Sequence, residues 1–173
     1  MDSELELFSL IRDVVLLCPE RLHQIGREIV THARDQLLLD TDLVPNPEIT
    51  AAYAFLCEGH ALPARRRRAE KLHKRLRFGA QYQPEGYLAQ AIGLGLRLDA
   101  LPQKGRAATY LSCLCRSATW AVAGREDIPR DPPLPTGVQE REWQWQYLEA
   151  QVDKRRREQM DQTSRMRAST LAI

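Results

Sequence analysis

The clearest chemistry in this chain belongs to the cations crowded into residues 64–78, here called the basic segment. It carries eight basic side chains and one acid, Glu70. A cationic side chain that contacts a phosphate displaces condensed counterions, and arginine can also form two parallel hydrogen bonds to the phosphate oxygens. The composition therefore predicts a surface for an anionic partner. The residues that we expect to bind it are Arg65, Arg66, Arg67, Arg68, Lys71, Lys74, Arg75 and Arg77.

The rest of the chain does not share this charge. The formal net charge of the whole chain is only +2, because residues 1–63 carry a net charge of −7 and residues 79–173 a net charge of +2. A concentrated positive patch repels itself, and its usual partner is a phosphate backbone, a lipid headgroup or an acidic protein surface. The charge distribution thus indicates a kind of partner rather than a reaction.

The basic segment has the ends and the apolar stripe of a helix. Pro63 stands at its start and Gly79 just past its end, and Ala69, Leu72 and Leu76 fall on one narrow face. Binding of RNA or DNA with weak sequence preference fits this broad cationic face best. Recognition by a nuclear-import receptor is the next interpretation, and the two roles are compatible. Binding to calmodulin or to an anionic membrane is less favoured, because the apolar stripe lacks bulky aromatic residues.

A second set of residue types suits a metal ion. Cys57, His60, Cys113 and Cys115 could supply thiolates and an imidazole, but a structural zinc site needs all four to converge. Two residues that are two positions apart on a helix point to nearly opposite sides, which argues against Cys113 and Cys115 as joint ligands. Buried, reduced thiols are the preferred interpretation, and we expect no metal.

The pattern of an enzyme is absent from the sequence. No acid–base pair, nucleophile arrangement or phosphate-binding loop stands out, and the single Gly93-x-Gly95 lies inside a helical pattern with no preceding strand. We therefore expect a regulatory or accessory binding protein without a cofactor. The rival interpretation is a protein-interaction adaptor in which the basic segment serves only as a nuclear-import signal.

The elements that position these side chains are predicted to be helices. No stretch alternates apolar and polar residues as a strand does, whereas apolar residues recur every three or four positions. An all-α core of about six helices, spanning residues 1–127, is expected. The predicted helices cover residues 3–17, 19–39, 47–57, the basic segment, 84–98 and 103–123.

The C-terminal part has its own organisation. A proline-rich connector is expected over residues 128–137, an amphipathic helix over 138–160 and a flexible tail over 161–173. The helix carries more aromatic and apolar surface than one exposed helix normally does, so it should pack against its own core or against a second copy. We favour a homodimer. The residues expected at its interface are Trp143, Trp145, Leu148 and Val152.

The bulk composition limits the class of protein. The chain has 173 residues, of which 43% are hydrophobic and 28% are charged, as in a soluble globular domain. No apolar run approaches the roughly 20 residues that span a bilayer, so no membrane is expected among its partners. The acidic N-terminus does not resemble a secretory signal. A cytoplasmic or nuclear location is the expectation.

Overall fold

The structure of the chain is a computed structural model. Within the residues that it describes there are six α-helices, one short 3-10 turn and no strand, which confirms the predicted all-α class. None of these helices is both long and apolar enough to cross a membrane. The described residues are 3–40, 46–58, 67, 71, 75, 84–98, 104–123 and 136–171.

Prolines mark the starts of several elements. Pro19, Pro47 and Pro84 each open one, a position where the missing backbone N–H is tolerated. The side chain of Asn46 accepts a hydrogen bond of 2.8 Å from the backbone N–H of Glu48 and so caps the third helix. The elements are α1 (Ser3–Leu17), a 3-10 turn (Pro19–Arg21), α2 (Leu22–Asp40), α3 (Pro47–Cys57), α4 (Pro84–Leu98), α5 (Lys104–Ala123) and α6 (Thr136–Leu171).

The core is built around α4 and α5. These two helices make the most extensive contact in the described fold, and α2 packs across both of them. The α3 helix covers α4, while α1 and α6 pack against α5 and against each other. Buried side chains lie on every side of α4, as expected for a central helix. The largest fully buried aliphatic side chains are Ile11, Ile25, Ile29, Leu56, Ile92, Leu111, Leu114 and Leu148.

A glycine permits the close approach of α2 to this pair. A Cβ atom at Gly26 would lie 2.7 Å from Cδ1 of Leu98 and 3.3 Å from Cδ1 of Leu114. We expect Gly26→Val to lower the free energy of unfolding by about 1–3 kcal/mol, because its added carbons would overpack this crossing. Gly105→Val is the control, since nothing lies within 4 Å of that position. Urea denaturation measures both, and equal stability of the two variants would contradict this packing.

The last helix is longer than the sequence suggested. It begins at Thr136, inside the predicted connector, and its 36 residues continue to Leu171 through the predicted flexible tail. Residues 154–171 contain neither glycine nor proline and are rich in arginine, glutamine and methionine, which favour helix. At 1.5 Å per residue α6 is about 54 Å long. Its side chains over residues 159–167 are exposed, so only the first part of α6 packs on the core.

The packed part of α6 lies against its own chain. Leu148 and Val152 belong to the same buried cluster as the side chains of the other helices. Trp143 packs against that cluster, while Trp145 is half-buried outside it. Of the four residues expected at a dimer interface, Leu148 and Val152 are therefore covered within the monomer. Packing in cis was the other alternative that the sequence left open.

Candidate functional site

Three cations of the basic segment belong to the residues that the structure describes. Arg67, Lys71 and Arg75 are each helical and exposed. In the helix that the sequence predicts for the basic segment, a spacing of four residues places side chains on neighbouring turns of the same side. The other residues of the predicted phosphate-binding set lie outside the described residues. These are Arg65, Arg66, Arg68, Lys74 and Arg77.

An ion pair joins Arg75 of the basic segment to the folded core. Nη2 of Arg75 lies 2.5 Å from Oε1 of Glu48, in the first turn of α3. The Arg75 side chain is 67% exposed, and exposed pairs of this kind contribute about 0–1 kcal/mol. The pair therefore contributes little to the attachment of Arg75 to the core.

The smaller basic cluster on α6, residues 154–157, has a different environment. Arg155 lies 3.4 Å from carboxylate oxygens of both Glu20 and Glu158 and donates to the backbone carbonyl of Leu17 at 3.1 Å. Arg156 lies 3.5 Å from Asp13. Two arginines of this cluster are therefore matched by acids of the chain itself.

Glu158 is shared between two elements. It accepts a hydrogen bond of 3.0 Å from Arg21 as well as one of 3.4 Å from Arg155. The bond from Arg21 is the main reason why the pKa of the Glu158 carboxyl lies below its usual range. Together with Arg156–Asp13, these pairs attach α6 to α1 and to the 3-10 turn.

A buried carboxylate lies where α2, α5 and α6 meet. The Glu140 side chain is only 1% exposed, and its Oε2 lies 2.8 Å from Nδ1 of His32. Its Oε1 accepts a hydrogen bond of 2.9 Å from Nε2 of Gln144. Burial raises the pKa of the Glu140 carboxyl, and the hydrogen bonds from Gln144 and His32 oppose that rise. The pair thus places an ionisable group in the interior of the helix bundle.

Gln144 extends this network into α5. Its Nε2 lies 3.1 Å from the backbone oxygen of Cys115 and 3.3 Å from Oγ1 of Thr119. Its Oε1 is buried and has no hydrogen-bond partner within the described structure. A buried polar network of this kind fixes the rotation of α6, because a turned helix would leave these groups unpaired.

Three parallel rings stand beside the carboxylate. The imidazole of His32 stacks on the indole of Trp143, with centroids 3.6 Å apart and planes 4° apart. Trp143 stacks in turn on Tyr147, at 5.2 Å and 5°. Burial, together with a hydrogen bond to Glu28, raises the pKa of the Tyr147 hydroxyl. The stack therefore bridges α2 and α6.

A cavity of about 220 Å³ lies beside His32 and Trp143 of this stack. Its lining combines polar residues with one aromatic and one aliphatic side chain. Residue types and spacing in the sequence did not predict this site. The lining residues are His32, Gln36, Val122, Gln139, Glu140 and Trp143.

The cysteines do not form a metal centre in the described structure. All four are free thiols, and no group of three or more His, Cys, Asp or Glu side chains among the described residues could hold a metal ion. Cys57 is exposed on α3, whereas Cys115 is buried in α5. His60, the imidazole of the predicted ligand set, lies outside the described residues.

Burial gives the thiols different reactivities. It raises the pKa of Cys115 to about 12, so at about pH 8 the thiolate fraction is roughly a thousandfold below that of an ordinary thiol. We expect Cys57 to react first with a maleimide and Cys115 to be protected until the chain unfolds. Peptide mass spectrometry after timed labelling measures this order, with a sample in denaturant as the control. Equal labelling rates in the folded protein would contradict it.

Comparison with known proteins assigns no relative to this fold or to either site. The chain matches no protein-family model, no curated protein and no solved structure. The assignment of a function therefore depends on the charges, contacts and cavity described above.

Proposed function

We propose that this protein binds RNA or DNA without catalysing a reaction, and that it contacts the phosphate backbone through its basic segment in a regulatory or accessory role. The observation that carries the proposal is that Arg67, Lys71 and Arg75, spaced four residues apart, are each helical and exposed. On the helix predicted for the basic segment, successive members of this set are about 6 Å apart along the axis, at 1.5 Å per residue. A helix face of this kind can contact several phosphates of one strand.

The contrast with the α6 cluster supports this assignment. Arg155 and Arg156 form ion pairs with acidic residues of their own chain, so their positive charges are already balanced within the fold. The basic segment contains eight cations and a single acid, Glu70, and Arg75 shares a weak surface pair with Glu48. Most of its charge therefore has no counterpart within the segment, and a polyanion would supply one.

Exposed apolar side chains on α1 support a second candidate function, that of a protein-interaction adaptor. On α1 the side chains of Leu5, Phe8 and Leu16 are exposed, and their three- and eight-residue spacings place them along one side of the helix. Exposed apolar groups of this kind are common at protein interfaces. In this alternative a protein partner covers α1, and the basic segment is read by an import receptor. If the protein is an adaptor of this kind, it should purify without bound nucleic acid.

The salt dependence of binding tests the preferred function. With about five phosphates engaged, the logarithm of the association constant should fall against the logarithm of salt concentration with a slope of about −3.5 to −4.5. Fluorescence polarisation with labelled single-stranded and duplex oligonucleotides, from about 50 to about 200 mM salt, measures this slope. A flat response would contradict phosphate binding even if some association remained.

A further inference from the structure

One side of α5 remains accessible to solvent, although the helix lies at the centre of the fold. Side chains at alternating intervals of three and four residues share one side of a helix. On α5 a series with these intervals is exposed or half-buried along about 21 Å of the helix axis, and it is here called the α5 face. Its residues are Arg106, Thr109, Cys113, Arg116 and Trp120.

The charge of the α5 face is positive. The α5 helix contains no aspartate or glutamate, and the one acid of α4 is in its first turn, at the opposite end from Arg97. Arg97 extends the cationic surface from α4, because its Cζ lies 5.1 Å from the centre of the Tyr110 ring on α5. No carboxylate of the described residues pairs with Arg97, Arg106 or Arg116. These three arginines therefore differ from the acid-matched cluster on α6.

Aromatic rings hold two of the three guanidinium groups in place. Besides the contact of Arg97 with Tyr110, Cζ of Arg116 lies 5.3 Å from the centre of the Trp120 ring, and its Nη2 donates to Sγ of Cys113 at 3.7 Å. A guanidinium group that places its flat face on a ring keeps N–H groups at its edge for the oxygens of a phosphate. Because the rings already order these side chains, less conformational freedom is lost when a phosphate binds.

We propose that the α5 face is a second contact surface for the phosphate backbone of a nucleic-acid strand, with Arg97, Arg106 and Arg116 as the phosphate-binding residues. The inference rests on the proposed function, because the strand is the one that the basic segment holds. Arg106 and Arg116 are separated by about 15 Å along α5, which equals about four phosphate steps of a stacked strand at 3.4 Å each. One strand can therefore contact both.

The packing of the helices connects the α5 face with the basic segment. Arg75 pairs with Glu48 in the first turn of α3, α3 packs on α4, and α4 packs on α5. The two cationic surfaces are thus carried by one run of directly packed helices. When a strand is long enough to reach two linked surfaces, it binds more tightly than to either surface alone.

Strand length separates the two surfaces in the test. Fluorescence polarisation compares labelled oligouridines of about 6 and about 16 nucleotides, which lie within the site sizes of single-strand-binding folds. The short strand supplies the phosphates for the basic segment, whereas the long strand also reaches the α5 face. With three more phosphates engaged, the logarithmic salt slope of the long strand should be steeper by about 2.

The removal of three arginines should abolish this difference. Joint replacement of Arg97, Arg106 and Arg116 by glutamine should weaken binding of the long strand at least about tenfold and return its salt slope to that of the short strand. Binding of the short strand should not change. The matched control is the joint replacement of three exposed cations of α6 by glutamine, which removes the same charge and should leave most of the long-strand affinity. These cations are Lys154, Arg157 and Arg167.

A charge reversal guards against a folding defect in the glutamine variant. Arg106 is exposed in the first turn of α5, where the helix dipole favours an acidic side chain. Arg106→Glu should therefore keep or raise the melting temperature and still weaken binding of the long strand at least about tenfold.

The two strands also distinguish the inference from the proposed function. If the glutamine variant and Arg106→Glu both bind the long strand as tightly as the wild type does, the inference is overturned, while salt-dependent binding of the short strand upholds the proposed function. If the wild type shows no salt-dependent binding of the short strand, the proposed function is contradicted and the inference with it.

Discussion

Replacement of Arg67, Lys71 and Arg75 together by alanine should weaken nucleic-acid binding by roughly a hundredfold or more. Each removed cation takes away a charge-assisted contact to a phosphate, worth about 1.5–3 kcal/mol when fully made. Each lost phosphate contact should also make the salt slope shallower by about 1. Polarisation titrations of wild type and variant at several salt concentrations measure both effects.

The matched control removes the same charge from another part of the surface. Lys154, Arg157 and Arg167 are exposed on α6, and their joint replacement by alanine should leave most of the affinity intact. Both triple variants should keep the helical circular-dichroism signal, since exposed substitutions usually change stability by less than about 0.5 kcal/mol each. Equal loss of affinity in the two variants would mean that net charge, and not the basic segment, governs binding.

The helices were predictable because their signals are local. Pro19, Pro47 and Pro84 mark element starts, and apolar residues at three- and four-residue intervals mark the buried faces. The predicted bounds 3–17 and 84–98 agree with α1 and α4. Such signals need no knowledge of which helix packs on which. The C-terminal end of α6 was missed because a polar composition predicts solvent exposure and says little about helix length.

The buried site was not predictable in the same way. His32 and Glu140 are separated by more than a hundred residues, and nothing local indicates that α6 returns to lie against α2. A weaker signal was nevertheless present. Glu140 and Gln144 precede Leu148 at four-residue intervals, so two polar residues share the helix face of a core leucine. Polar residues at core positions are a reason to look for a hydrogen-bonded partner on another helix.

The second large expected effect is a loss of stability when a buried side chain of α6 is truncated. Leu148→Ala should lower the free energy of unfolding by about 2–5 kcal/mol, because it removes a side chain that is 0% exposed and leaves a cavity among close-packed helices. The loss should be the same at all protein concentrations, since its neighbours belong to the same chain. Urea denaturation followed by circular dichroism, at two widely separated protein concentrations, measures it.

Leu39→Ala supplies the control, because it is the same chemical change at a side chain that is 78% exposed. It should alter the free energy of unfolding by no more than about 0.5 kcal/mol. If instead Leu148→Ala left the unfolding energy unchanged and dissociated a dimer in light scattering, α6 would pack against a second copy. A full-length chain that dimerises with an intact Leu148 core would place the contact elsewhere, and the exposed side chains Leu5, Phe8 and Leu16 of α1 would then be the first to substitute.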